Sequence, residues 1–198
     1  MTMTKFAVLL PIAGALALGG CISFGAKPPP TLLTLESAQS VPAGETRSSA
    51  NAATITIAVP SVSQALATTR VPVQSSGTSI AYVKDAQWVE LPARLFARLA
   101  ADTIAARTGR VVLSTAQSFS DPGARLSGEL RNFGVDGTTS EAVVTFDAAL
   151  IRTTGEVVEK RRFEARVPIA AIAAGPASQG IDQAANQVAA QLADWVGK

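Results

Sequence analysis

The chain has 198 residues, with 17 Lys or Arg against 15 Asp or Glu, one Cys and no His. A net charge of +2 at that length gives no clustered basic stripe of the kind nucleic-acid binding requires. The one basic run, Lys160-Arg161-Arg162, is bracketed by Glu159 and Glu164 and reads as a solvated strand face. A single Cys cannot close an internal disulfide, no Cys/His metal site can be built, and the commonest general base at neutral pH is missing.

Lys5 gives the chain a short positive start, and Phe6 to Leu18 is then apolar apart from Pro11 and Gly14. A run of about 13 residues is short for a bilayer span and suits the apolar region of a signal peptide. It ends in Leu18-Gly19-Gly20-Cys21, which resembles the lipobox of bacterial lipoproteins. That resemblance implies cleavage between Gly20 and Cys21 and acylation of the Cys21 thiol with diacylglycerol and palmitate-type chains. An ordinary secretory signal, or an uncleaved anchor, with an incidental cysteine is the plainer reading. One acyl chain binds a membrane only marginally, whereas several hold it almost permanently.

Ile22 to Pro30 contains Gly25 and Pro28-Pro29-Pro30, a semi-rigid tether with a reach of about 30 Å at about 3.3 Å per residue. Ile rather than Asp follows the cysteine, which by resemblance to enterobacterial sorting favours the outer membrane. The expected organisation is a signal peptide over 1–20, a lipidated tether over 21–30 and a single periplasmic domain over 31–198.

Thr31 to Leu35 is a short β-type run, and Ser37 to Ala53, rich in Ser, Ala and Gly, reads as a loop. Ile55, Ile57 and Val59 alternate with Thr54, Thr56 and Ala58, which predicts a strand closed by Pro60. Val71 and Val73 flank Pro72, and a proline there predicts an edge strand. A second strand, Ile80 to Val83, follows the turn-like Ser75-Ser76-Gly77. From about Glu90 to Arg107 the period changes. Leu95, Phe96, Leu99, Ala100, Thr103 and Ile104 share one face, with Arg94, Arg98 and Asp102 opposite. Pro92 in the first turn and Gly109 past the end mark a helix. Val111-Val112-Leu113 is a short buried strand.

Arg125 to Pro168 reads as a three-strand antiparallel meander. Leu126 and Leu130 are out of phase with Phe133 and Val135, so a bulge near Asn132 is needed. Turns at Asp136-Gly137-Thr138 and Thr153-Thr154-Gly155 flank the alternating run Val144, Phe146, Ala148, Leu150. Val157, Phe163, Ala165 and Val167 then oppose Lys160, Arg162, Glu164 and Arg166. Ser178 is placed to cap a last helix running to Val196, with Ile181, Ala184, Ala185, Val188, Leu192, Trp195 and Val196 on its apolar face. The predicted fold is α+β, a largely antiparallel sheet with two helices packed on one face.

Three stretches resemble the ABC-type transport auxiliary lipoprotein (PqiC-like) family. They are Ala81 to Pro92 running into Leu95-Phe96, then Leu130-Arg131-Asn132-Phe133 with the strands ending Phe163 to Pro168, and the closing Ala/Gln-rich helix with Trp195. The sequence departs from that pattern at Thr31 to Leu35, where an aromatic pair is usual, and in lacking a histidine ahead of Trp88. The resemblance implies an accessory, non-catalytic lipoprotein that docks on a periplasmic MCE-domain protein served by a separate ABC permease and ATPase, in lipid transport across the Gram-negative envelope. It also admits self-association.

Tyr82 and Trp88 are candidates for contact with lipid or a partner, or alternatively core residues joining strand to helix. Arg70, Lys84 and Arg131 are candidates for headgroups or acidic partner residues, or simply scattered surface cations. Glu90 reads as a first-turn helix acid. No HExxH, GxSxG, SxxK, P-loop or GxGxxG pattern occurs, and the carboxylates Glu156 and Glu159 have no arguable pocket. Catalytic and metal residues are therefore expected to be none, with no cofactor beyond the covalent lipid. A structural or assembly lipoprotein of the pilotin kind would share every anchor feature, and a tethered envelope hydrolase is the third reading.

Overall fold

One long strand organises the sheet. In the computed structural model, which describes residue 29 and residues 31–118, 123–152 and 157–197, this strand is β6, Ala124–Asp136. The signal peptide, Cys21, most of the tether and the turn at 153–155 lie outside the described residues. Among those described, eight strands form a single sheet. Besides β6 they are β1 (Thr54–Ile57), β2 (Ser61–Val62), β3 (Arg70–Ser76), β4 (Ser79–Gln87), β5 (Val111–Leu113), β7 (Glu141–Ile151) and β8 (Val158–Pro168). The helices are α1 (Pro92–Thr108) and α2 (Ala174–Val196).

On one side β6 pairs with β7 antiparallel along its length, and β7 pairs with β8 in the same sense. The register slips between Leu130 and Asn132, at the place where the two apolar phases of β6 collide. Leu126, Leu130, Phe133 and Val135 are all buried as a result. On the other side β6 meets β1, β2 and β3 in succession, each in parallel. β5 lies outside β1, also in parallel, and β4 closes the β3 hairpin. The sheet is therefore mixed, with its long ladders antiparallel.

Both helices cover the same face. Phe96 of α1 rests on Phe146 of β7 at 5.1 Å between ring centroids, and Trp195 of α2 on Phe163 of β8 at 5.5 Å. Phe146 and Phe163 are register partners, so their side chains share a face. The predicted apolar stripe of α1 is buried from Leu95 to Ile104, each large side chain contributing about 1.5–3 kcal/mol. Pro92 starts the helix, and Gly109 ends it with φ of 70°, a conformation open to glycine at little cost. α2 carries Ala184, Ala185, Ala189 and Ala193, all fully buried. These small side chains let it pack closely against both α1 and the sheet.

Several expectations need correction. Val71-Pro72-Val73 is not an edge, because β3 lies between β4 and β6. The ladder to β6 begins at Val73, one residue beyond the ring that lacks an N–H, and that placement makes the proline tolerable. Gly134 lies so close to this segment that a Cβ would stand 2.4 Å from the Pro72 carbonyl oxygen. β1 stops at Ile57, leaving Val59 exposed, and Val157 is exposed ahead of β8. β5 is half-buried at the sheet edge. Ser178 does not cap α2. The helix begins earlier, after Ala173, and the Ser178 hydroxyl donates to Gly175 O inside it. Pro176 sits in this first turn, where its missing N–H costs little. Glu90 precedes α1 and pairs with Arg98.

Candidate functional site

The leading described segment is fastened to both β4 and α2. Leu33 N donates to Gln87 O and Val89 N donates to Leu33 O, both at 2.8 Å, which makes a parallel bridge opposite Trp88. Beyond it, Glu36 N donates to Asp182 Oδ1 at 2.8 Å and Ala38 N to Asn186 Oδ1 at 2.9 Å. The Asn186 amide donates in return to Glu36 O at 2.9 Å. Two short polar side chains one turn apart on α2 thus take the place of a neighbouring strand for an otherwise unpaired segment. Burial raises the Asp182 pKa against the lowering effect of the Glu36 N–H. The loop from Ser37 to Ala53 holds no helix or strand, and Arg47 within it donates to Ala105 O of α1.

The residues singled out in the sequence separate at this point. Cys21 and Gly20 lie outside the described residues. Arg70 and Tyr82 come together, with the Arg70 guanidinium carbon 4.0 Å from the centre of the Tyr82 ring, a cation–π contact on an exposed hairpin. Trp88 is not beside them on the surface. It is fully buried, 5.4 Å from Phe133, and its Nε1 has no hydrogen-bond partner among the described residues. Lys84 is exposed. Arg131 is half-exposed and pairs at 3.4 Å with Glu129 and 3.6 Å with Asp147.

The sheet face turned away from the helices is a charged lattice. Arg166 reaches Glu164, Glu141 and Asp136, and Arg162 holds Asp147 through both carboxylate oxygens. Asn132 donates to Thr145 Oγ1, which donates to Glu164. These contacts set the titration. Arg166, and then Thr145, lower the Glu164 pKa; Arg162 lowers that of Asp147; the Thr138 hydroxyl leads the lowering at Asp136. Glu159 is lowered by Arg152. Arg152 also donates to Trp195 O and Val196 O, closing the carboxyl end of α2. Of the basic run, Lys160 and Arg162 project to solvent, and Arg161 lies 5.0 Å over the Phe163 ring.

Two kinds of space accompany this surface. One shallow depression of about 410 Å³ is lined by Pro72, Gln74, Ile80, Gly134, Val143 and Arg166, and another of about 710 Å³ by Gly128, Asp147, Arg161 and Arg162. Between helices and sheet, the space bounded by Phe96, Leu126, Phe146 and Leu192 is about 10 Å³, at the threshold for a single water. No group of three or more Cys, Asp or Glu side chains among the described residues is arranged to hold a metal ion. No helix among them is long and apolar enough to cross a membrane.

The sequence reading missed the clasp formed by Asp182 and Asn186. The available signal was weak: two short polar residues at i and i+4, with a partner segment 146–150 residues away. It also missed Arg152, whose role depends on where α2 ends in space.

A mixed sheet with two helices on one face and a stitched leading segment defines an α+β fold shared with solved structures. Protein XCC0632 from Xanthomonas campestris, of family DUF330, superposes with a TM-score of 0.62 at 17% identity, covering 84% of this chain and 91% of that one. A second, described only as an uncharacterized protein, gives 0.64 at 14% identity, covering 73% and 92%. At these identities the likeness is one of fold. No curated protein matches the sequence. The model of the ABC-type transport auxiliary lipoprotein component family matches residues 33–193, and the chain belongs to that family.

Proposed function

We propose that this protein is the membrane-anchored, non-catalytic adaptor of an ABC/MCE-type lipid transport system in a Gram-negative envelope. Cys21 carries the acyl chains, the outer membrane receives them, and the folded body meets a periplasmic MCE-domain protein whose permease and ATPase are separate chains. The observation that carries this reading is the family match across residues 33–193, which makes the protein an auxiliary transport component. The interior supports an adaptor over a carrier. The space of about 10 Å³ bounded by Phe96, Leu126, Phe146 and Leu192 is too small for an acyl chain, which supports a role played through surfaces. The carboxylates of the open face are tied to guanidinium groups, which favours ionised structural pairs over acid–base chemistry.

Crosslinking in native envelopes followed by purification of this chain tests the reading. Recovery of an MCE-domain protein together with its permease and ATPase is the expected result, with palmitate incorporated at Cys21. Recovery of a secretin or barrel-assembly protein instead would transfer the chain to the assembly lipoproteins and overturn the proposal.

A further inference from the structure

Apolar side chains crowd the surface where the tether enters. Leu32, Val89 and Leu91 are 49%, 52% and 39% exposed, and they cluster around the Leu33–Trp88 bridge. Leu33 faces inward onto the core with Trp88. Its neighbour Leu32 and Trp88's neighbour Val89 therefore point outward on the same side, by the alternation of extended chain. Leu91 follows two residues later as the residue preceding α1. Single exposed apolar residues are ordinary on a protein surface; three on one short bridge are a patch.

Charges of both signs lie nearby, with exposed Glu36 and Asp85 each three residues from the bridge. Arg94, three residues after Leu91, is exposed and has no ion pair among the described residues, and Glu90, the acid next to Leu91, is taken up by Arg98. Arg70 is the register partner of Gln87, the residue that receives the Leu33 N–H. An apolar centre with cations on either flank is the signature of a surface that rests at a lipid interface.

The length of chain up to the patch decides what covers it. About eleven residues separate Cys21 from Leu32, so at about 3.3 Å each the patch cannot leave the bilayer by more than about 36 Å. Within that radius a bilayer acts on the patch as an intramolecular partner, at an effective concentration near the millimolar range for short linkers. We infer that Leu32, Val89 and Leu91, flanked by Arg94 and Arg70, form a second contact that lays this end of the domain on the anionic lipid surface holding the anchor. The inference rests on the anchor reading above and gives it an orientation. The Leu33 bridge and the α2 clasp then fix the charged sheet face relative to the membrane.

The test uses the full lipidated protein in vesicles of phosphatidylethanolamine and phosphatidylglycerol. Cys21 is the only cysteine and its thiol is acylated, so Val89→Cys offers one free thiol for a polarity-sensitive fluorophore. Val158→Cys, 53% exposed at the β8 end near the carboxyl terminus of α2, is the control. A blue-shifted label at 89, quenched at least about twofold more than the one at 158 by lipids carrying shallow nitroxides, is the expected result. The preference should weaken when phosphatidylglycerol is left out. Equal quenching at both positions, with the protein still floating with the vesicles, overturns the contact and leaves the anchor intact. Failure to float, with no palmitate on Cys21, removes the anchor and the contact together.

Discussion

The side-chain amide of Asn186 donates to the carbonyl of Glu36 at 2.9 Å and accepts from the N–H of Ala38 at the same distance. One residue of the last helix therefore closes a loop onto a segment at the start of the domain. A pull on the leading segment reaches α2 as well as the β4–α1 joint.

Asn186→Ala removes both bonds and leaves two backbone groups to water. The expected loss is about 1–2 kcal/mol, with the larger change in local opening. Hydrogen exchange at Ala38, whose N–H loses its acceptor, should rise well above that at Glu36, still held by Asp182, and at Leu33, which keeps its own bridge. Uniform acceleration across all three would show that the clasp does not act separately from the bridge.

Trp88 fills the joint between β4 and α1 with no exposed surface, and its Nε1 has no partner among the described residues. Trp88→Ala should cost about 3–5 kcal/mol. Trp88→Phe should cost less than half of that, because it gives up ring volume yet removes the unpaired buried N–H. Chemical denaturation of the two variants measures the difference, and similar losses would show that the indole nitrogen has a partner.

Gly134 and Pro72 test the close approach of the parallel neighbours β3 and β6. A Cβ at 134 would stand 2.4 Å from the Pro72 carbonyl oxygen, a backbone atom that cannot swing aside. Gly134→Ala should therefore destabilise by about 1–3 kcal/mol. Gly77→Ala, with nothing within 4 Å, should change the thermal midpoint far less.

Much of this fold was legible because side-chain period records which face is buried. The phase conflict between Leu130 and Phe133 demanded the bulge found between Leu130 and Asn132, and Pro92 and Gly109 bounded α1. Alternation does not record which strand lies alongside. For that reason the parallel run of β1, β2 and β3 beside β6 was invisible, and Pro72 was read as an edge. The start of α2 was misplaced because Ala173 offers no capping side chain and Ser178 offers a false one. Arg70 and Tyr82 were singled out in separate groups, and their contact depends on the hairpin register, which neither local pattern contains. The Asp182–Asn186 clasp depends on long-range packing that local pattern does not contain.

Arg152 joins β7 to the last turn of α2 by donating to Trp195 O and Val196 O while holding Glu159. A cation at a helix carboxyl terminus is worth about 1 kcal/mol when partly buried. Arg152→Met keeps the aliphatic stem and removes the donors. It should lower the thermal midpoint by a few degrees and raise hydrogen exchange in the last turn of α2, with α1 unaffected.

Acid titration separates two sets of carboxylates. Asp136, Asp147, Glu159 and Glu164 have folded pKa values below the ordinary range, led by Thr138 for Asp136 and by Arg162, Arg152 and Arg166 for the others. Their contribution is complete above the unfolded value, about 4, and is lost as pH falls through the lowered folded values. Asp102 and Asp182 act in the opposite sense, because burial raises their pKa. The cost of their charge is full at neutral pH and disappears as pH falls from the raised folded value to the ordinary one. The thermal midpoint should stay level or rise slightly from pH 7 toward about 5, then fall below about 4. Asp182→Asn keeps an acceptor for Glu36 N without the half-buried charge. It should raise the midpoint by about 1–2 °C at pH 7 and have no such effect near pH 3, whereas Asp182→Ala should lower it at both. A midpoint that declines steadily from pH 7 would show that the raised pair contributes nothing measurable.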